Sequence, residues 1–362
     1  MCLRVNVTNF YANFKIRAKQ MIKNLIEKYK NYKKQHHLNL PESYKGKYAF
    51  VGVGNHSVNN LYPVLDFLAV PLKYVCTKGI ANSTKMAKRY NAEGTNDLEK
   101  IAKDDEVKGV FICSNPKIHF ELCKKFLSAG KNIFVEKPPC TSLKELEELI
   151  SISQNSNCVV GLQKRYAVVN SILKQKIGKA NSYNLRYLTG SFPEGNPIWD
   201  LFIHPLDLAI FLFGEVKNIE TKSVGAEGNK TLFAILEHAN GTLGNLELST
   251  DYSWTEAKET LVVNTEKGIF ETEGTRKLTF IPKSPSVLGI PLEKVVKLPR
   301  KREILYEQSD FVPIGEFNSI HVHGYFNEIK TFTDLVEGQK AKNFSSLEDL
   351  KPTYELIEKI KI

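Results

Sequence analysis

The sequence predicts an α/β protein in which a doubly wound parallel sheet is followed by an α+β domain on a mostly antiparallel sheet. Three observations carry this expectation. From residue 47 to 135, apolar runs rich in β-formers alternate with segments of helical period, the order that builds parallel sheets. The first run, Tyr48 to Val51, enters Gly52-Val53-Gly54 and then a helical segment. Beyond Leu162 strand-like pieces predominate, separated by turn signals such as Ala239-Asn240-Gly241 and Glu266-Lys267-Gly268.

With 362 residues the chain is long enough for two or three domains, and 42% hydrophobic content is that of an ordinary globular protein. No window approaches the ~18 consecutive apolar residues of a membrane span. The N-terminus lacks a signal-peptide pattern, so a cytoplasmic location is expected. Cys2, Cys76, Cys113, Cys123, Cys140 and Cys158 are scattered without a C-x-x-C pair and read as buried, reduced thiols. No metal-ligand spacing is visible, so no metal site is expected. The net charge of +10 is uneven: residues 1–47 hold 11 Lys/Arg against 2 Asp/Glu, and the remainder holds 39 against 38. A near-neutral body argues against a nucleic-acid binder. These shifts in texture divide the chain into a basic helical extension (1–46), a domain of alternating strands and helices (47–160), a second, strand-rich domain (161–345) and a C-terminal helix (346–362).

Taken in order, residues 10–34 place Phe14, Ala18, Met21, Ile22, Leu25, Ile26 and Tyr29 at helical spacing with lysines opposite, an amphipathic basic helix. It suits packing on the body or on a neighbouring subunit; a peripheral membrane contact is the alternative. The adjacent pair His36-His37 does not face one ligand, and no metal is read there. The strand, glycine turn and helix at 48–68 form a dinucleotide-binding context. Gly52, Gly54, Asn55 and His56 are the contact candidates, and Ser57 stands where a third glycine is usual. The second strand, 72–76, ends in Thr77-Lys78-Gly79 and not in the acid that binds ribose hydroxyls. A hydroxyl and a cation suit a 2′-phosphate, which favours NADP over NAD. A helix (83–90) follows, then a strand (107–113) that ends in Ser114-Asn115-Pro116 ahead of His119. These are further cofactor-side candidates, with His119 equally suited to holding the loop. The next helix ends at Gly130.

The strand Ile133-Phe134-Val135 then delivers Glu136-Lys137 to its carboxyl end, where ligands sit in open α/β sheets. Pro138-Pro139 stop the strand and fix the backbone behind the lysine. A helix at 141–151 has capping-box spacing between Ser142 and Glu145, and a strand at 158–162 runs into Gln163-Lys164-Arg165-Tyr166. Strands follow at 181–188, 230–237, 242–250, 259–264, 268–272 and 277–281; residues 283–318 read as a long loop or arm, and a helix capped by Ser345 or Ser346 ends the chain. Within the second domain, Asp200, His204 and Asp207 are spaced to share a helical face. A carboxylate that orients an imidazole fixes a general base; the alternative is a helix start with an acidic cap, because Pro205 places that start near residue 203.

Together, Gly52-x-Gly54, Ser114-Asn115-Pro116 with His119, Glu136-Lys137-Pro138 and Asp200-x-x-x-His204-x-x-Asp207 resemble the sugar oxidoreductase family typified by glucose–fructose oxidoreductase and inositol dehydrogenase (Gfo/Idh/MocA-like). The resemblance covers residue 47 to about 360; Asn55-His56-Ser57, Ile203-His204-Pro205 and the N-terminal extension depart from the family pattern. It implies a Rossmann domain, a second domain whose open, mostly antiparallel sheet forms a homo-oligomer interface, and a site where Lys137, Asp200 and His204 meet at the nicotinamide. The expected function is NAD(P)-dependent oxidation or reduction of a secondary alcohol of a sugar, cyclitol or nucleotide-sugar. In that reading His204 is the base, Asp200 its orienting group and Lys137 the cation on the reacting oxygen, with Lys164 or Arg165 holding an anionic part of the substrate. The rival is a non-catalytic nucleotide-sensing or scaffold protein, membrane-peripheral through its basic helix.

Overall fold

The computed structural model describes residues 17–32, 44–226, 228–299, 301–309, 311 and 319–360. The chain divides into two compact units, residues 1–44 and 45–362. In the first, residues 17–32 are helical. The remainder of the expected 10–34 helix, the His36-His37 pair and Cys2 lie outside the described residues.

The second unit opens with a six-stranded parallel sheet of β1 (Lys47–Val51), β2 (Leu72–Cys76), β3 (Glu93–Thr95), β4 (Val107–Ile112), β5 (Asn132–Glu136) and β6 (Cys158–Gly161). Its spatial order is β3-β2-β1-β4-β5-β6, so the order reverses between β1 and β4. Apolar runs dominate β1, β2, β4, β5 and β6 because both faces are covered, which leaves no solvent side to demand alternation. The strand β3 was not expected: Glu-Gly-Thr carries no apolar signal. Close packing explains it, since a Cβ at Gly94 would stand 2.5 Å from the Thr84 backbone. The helix Leu143–Ile152 starts as its spacing predicts: Ser142 Oγ accepts from the Glu145 N–H at 3.2 Å, and Glu145 Oε2 from the Thr141 N–H at 2.9 Å.

An eight-stranded sheet follows. It comprises β7 (Ala180–Leu188), β8 (Val216–Ala226), β9 (Asn229–His238), β10 (Leu243–Ser249), β11 (Lys258–Thr265), β12 (Gly268–Glu273), β13 (Lys277–Pro282) and, beyond a small hairpin of β14 (Ser286–Val287) and β15 (Ile290–Pro291), β16 (Glu303–Glu307). The order is β16-β13-β12-β11-β7-β10-β9-β8. Every pairing is antiparallel except β7 with β10. The two strands the sequence did not announce, β8 and β16, are the edges; a largely exposed edge strand has no need of an apolar alternation. The helix Ile203–Phe213 packs on one face, where Phe213 stacks on Tyr183 with ring centroids 4.0 Å apart. Phe233, Ile235, Val262 and Ile304 remain exposed.

Two further elements depart from expectation. The C-terminal helix spans Lys351–Lys359, because the Ser346 cap opens onto a 3₁₀ turn, Glu348–Leu350, before the α-helix begins. The helix Tyr325–Val336, grouped by sequence with the second domain, returns to the parallel sheet. There Phe332 lies 5.1 Å from Phe111 and 6.2 Å from Phe134, centroid to centroid. The Glu337 carboxylate just after it accepts from the N–H of Gly46 at 2.8 Å and the hydroxyl of Tyr48 at 3.1 Å. Chain proximity gave no sign of this crossing. Cys76, Cys113, Cys123, Cys140 and Cys158 are all buried and unpaired.

Candidate active site

The glycine turn is shaped by one obligatory contact and one open side. Gly52 has φ +116°, and a Cβ there would fall 1.9 Å from the Cys113 carbonyl, so no larger residue fits between β1 and β4. Gly54 has nothing within 4 Å of its Cβ position. Ser57, fully buried, closes the turn: its hydroxyl accepts from the Gly54 N–H and donates to the Gly54 carbonyl, both at 3.0 Å. Asn55 and His56 begin the helix that follows, whose first-turn N–H groups lack intrahelical partners and suit an anion. At the end of β2, Thr77 donates to the Gly79 carbonyl at 2.6 Å and Lys78 is exposed.

Glu136 and Lys137 leave the end of β5 toward a cavity of about 340 Å³. His56, Ser114, Asp200, His204, Tyr187 and Tyr325 line it with them. Lys137 Nζ donates to the main-chain carbonyl of Asp200, which ties the parallel sheet to the start of the Ile203–Phe213 helix. That carbonyl belongs to a π-helical turn, Ile198–Phe202. In the π register the N–H at position 205 would reach residue 200, but Pro205 has none, and Lys137 supplies the donor.

Electrostatics follow from this placement. Desolvation lowers the Lys137 pKa below the usual lysine range against the opposing pull of Glu136 and Asp200. His204 is held well below its ordinary value by desolvation first, then by the positive charges of Lys137, Lys164 and His56. Its Nδ1 and the Ser114 hydroxyl are buried with no hydrogen-bond partner among the described residues. His56 Nε2 stands 3.2 Å from Glu136 Oε1; desolvation opposes its charged form, but the carboxylate outweighs it and raises the pKa. Behind Glu136, Glu328 is fully buried, and desolvation together with the Glu136 charge raises its pKa far above the usual range.

Several expected site residues serve other ends. The Asp200 carboxylate accepts from the Asn196 N–H at 2.8 Å and makes no hydrogen bond to His204, because it satisfies an orphan donor at the helix start. Arg165 lies outside the lining of the cavity: it grips Asp207 through Nε (2.8 Å) and Nη2 (2.6 Å) in a buried pair and donates to the Phe344 carbonyl at 2.6 Å. Asp207, fully buried, therefore turns away from the cavity and also accepts from Thr353 at 2.9 Å. Lys164 is buried against Glu259, with its ammonium 4.9 Å from the Tyr187 ring centroid. His119 lines the same cavity, with Nδ1 2.9 Å from the Pro138 carbonyl and Nε2 3.0 Å from the Ser114 carbonyl; burial lowers its pKa, and the neutral ring donates to one of the two, while Asn115 caps the Lys117 N–H at 3.0 Å. Gln163, Tyr187 and Tyr325 line the cavity and were missed in the sequence.

Residues 46–164 match the model of the oxidoreductase family with NAD-binding Rossmann fold, and residues 171–271 match the GFO/IDH/MocA C-terminal domain. The chain belongs to the Gfo/Idh/MocA oxidoreductase family. Its Rossmann domain is NAD(P)-binding, and the open side of Gly54, the helix start at Asn55 and the unpartnered Ser114 hydroxyl and His204 Nδ1 fit such a group. Among Gfo/Idh/MocA relatives, scyllo-inositol 2-dehydrogenase (NADP(+)) IolU of Bacillus subtilis is 22% identical over 300 residues, 73% of this chain and 92% of that protein. The uncharacterized oxidoreductase YhhX of Escherichia coli is 26% identical over 140 residues; the match spans 34% of this chain and 41% of that protein. A dehydrogenase from Chromobacterium violaceum shares the fold at TM-score 0.74 with 20% identity, over 87% of this chain and 94% of that one. UDP-N-acetylglucosamine 3-dehydrogenase GnnA from Acidithiobacillus ferrooxidans does so at TM-score 0.70 with 18% identity, over 87% and 96%. Among the described residues, no helix is long and apolar enough to cross a membrane.

The buried Arg165–Asp207 pair predicts a stability phenotype. Arg165→Ala leaves Asp207 uncompensated and costs about 3–5 kcal/mol in chemical denaturation. A fully stable variant with a selectively raised substrate KM contradicts this assignment.

Proposed function

We propose that this protein is a dehydrogenase or reductase acting on a secondary alcohol of a sugar, cyclitol or nucleotide-sugar. The observation that carries the reading is the convergence of Lys137, from the end of a cofactor-sheet strand, and His204, from the second domain, on one cavity. A bound nicotinamide supplies the hydride acceptor or donor. His204, kept neutral by its surroundings, takes the hydroxyl proton in the oxidative direction, and Lys137 stabilises the negative charge that develops on the same oxygen. Asp200 contributes through its carbonyl, which holds Lys137. A second hollow of about 570 Å³ adjoins at Gln163 and Tyr325 and offers Lys258 and Arg276 to the rest of a substrate. The activities for which two similar proteins are named, a scyllo-inositol 2-dehydrogenase and a UDP-N-acetylglucosamine 3-dehydrogenase, support a polyhydroxylated ring.

NADP is the proposed cofactor, because exposed Lys78 and Thr77 stand where a ribose-binding acid is usual. A homo-oligomer through the outer face of the second sheet accords with the exposed Phe233, Ile235, Val262 and Ile304.

Two sets of variants test this. Lys137→Met and His204→Ala each lower turnover by roughly 10²–10⁴ with dinucleotide affinity largely kept; Asp200→Asn costs less. Turnover unchanged in both, measured on a panel of inositols and nucleotide-sugars, refutes the site. For cofactor choice, Lys78→Ala weakens NADP binding far more than NAD binding by calorimetric titration, and an intact protein that prefers NAD overturns the NADP assignment.

A further inference from the structure

We propose that the helix at residues 17–32 lies on the surface of an anionic lipid bilayer. At 100° per residue, Met21, Leu25, Tyr29, Ile22 and Ile26 fall within an arc of about 140°. All five are open to solvent: Met21 62%, Ile22 55%, Leu25 59%, Ile26 48% and Tyr29 62%. Cations border both edges of the stripe, Arg17 and Lys28 on one side, Lys19 and Lys30 on the other, with Lys23 and Glu27 at the polar pole. Lysine and arginine at such borders reach headgroups while their stems extend the apolar face. The described helix is about 24 Å long at 1.5 Å per residue. Length and composition allow it to lie in the interface, not to span it.

Charge selects the occupant. Residues 17–32 carry five Lys/Arg against one Glu, so a second copy of the helix presents the same sign and repels the first. The stripe is also wider than the narrow a/d seam of a coiled coil. Beyond residue 47 the chain is near neutral, with 39 Lys/Arg against 38 Asp/Glu, and offers no acidic counterpart in bulk. A bilayer with anionic headgroups complements both the apolar stripe and its cationic borders. The role is a membrane address for the enzyme, separate from its chemistry.

Flotation of the full chain with vesicles provides the test. Partition onto phosphatidylcholine mixed with phosphatidylglycerol should exceed that onto phosphatidylcholine alone by about tenfold or more and should fall as salt is added. Two variants should each lose about tenfold in partition while dinucleotide affinity stays unchanged, which reports intact folding of the body. One is the double substitution Leu25→Asp with Ile26→Asp, and the other is Lys19→Glu with Lys28→Glu. Absence of the intact chain from anionic vesicles overturns the proposal. So does unchanged vesicle partition by the Asp variant. A fall in oligomeric mass of that variant in light scattering, with no vesicle binding by the parent, assigns the face to a second copy instead.

Discussion

The site depends on one hydrogen bond that joins the parallel sheet to the helical run of the second domain: the ammonium of Lys137 to the main-chain carbonyl of Asp200. Each end is prepared by its own element. Burial of β5 on both faces and the two prolines behind it deliver the lysine to the sheet's carboxyl end, beside the order reversal where ligands bind. On the other side, the carbonyl of residue 200 lies in a π-helical turn followed by Pro205, which has no N–H to give it. His204 follows Asp200 by four residues in the same helical run, so the tie that fixes the lysine also fixes the distance to the imidazole. A lone ammonium in this setting is costly, and its hydrogen bond to a carbonyl, with Glu136 as neighbour, is what makes the charge tolerable.

That placement orders the charges around the cavity. Glu136, buried beneath the glycine turn, faces His56 on one side and Lys137 on the other. Gly161 makes the room, since a Cβ there would come within 2.9 Å of the Glu136 carboxylate. Glu328, behind it on the Tyr325–Val336 helix, is pushed toward its neutral form by desolvation and by the neighbouring negative charge. After desolvation, the positive charges of Lys137, Lys164 and His56 all disfavour protonation of His204. A base that stays neutral and a cation beside it are the two groups that oxidation of an alcohol requires.

How much of this was legible depended on whether a residue's burial leaves a local trace. Most strands of the parallel sheet were readable because each is a run of β-formers; β3, β8 and β16 were not, because an edge strand needs no apolar pattern. Gly52 was legible because β1 enters a turn that excludes a side chain, and Glu136-Lys137 because they stand at a strand's carboxyl end. Lys164 and Arg165 carry partners that the sequence did not show: Glu259 and Asp207 reach them from distant segments, although Lys164 still lines the second hollow. The Asp200–His204 spacing suggested a carboxylate–imidazole pair, but the carboxylate caps Asn196 and the carbonyl does the linking. Gln163, Tyr187 and Tyr325 are neutral and lie on three separate elements, so no motif marked them, and the helix Tyr325–Val336 crosses back to the first sheet unannounced.

Lys137 and His204 share one cavity in which desolvation, and after it the lysine charge, keeps the imidazole neutral. A titration of His204 by nuclear magnetic resonance, with ring-labelled histidine in the full chain and in Lys137→Met, tests it without a substrate. The account predicts a His204 pKa below 6.5 in the parent chain and a rise when the lysine charge is removed. A His204 that titrates at or above 6.5, or whose pKa is indifferent to Lys137→Met, contradicts the account.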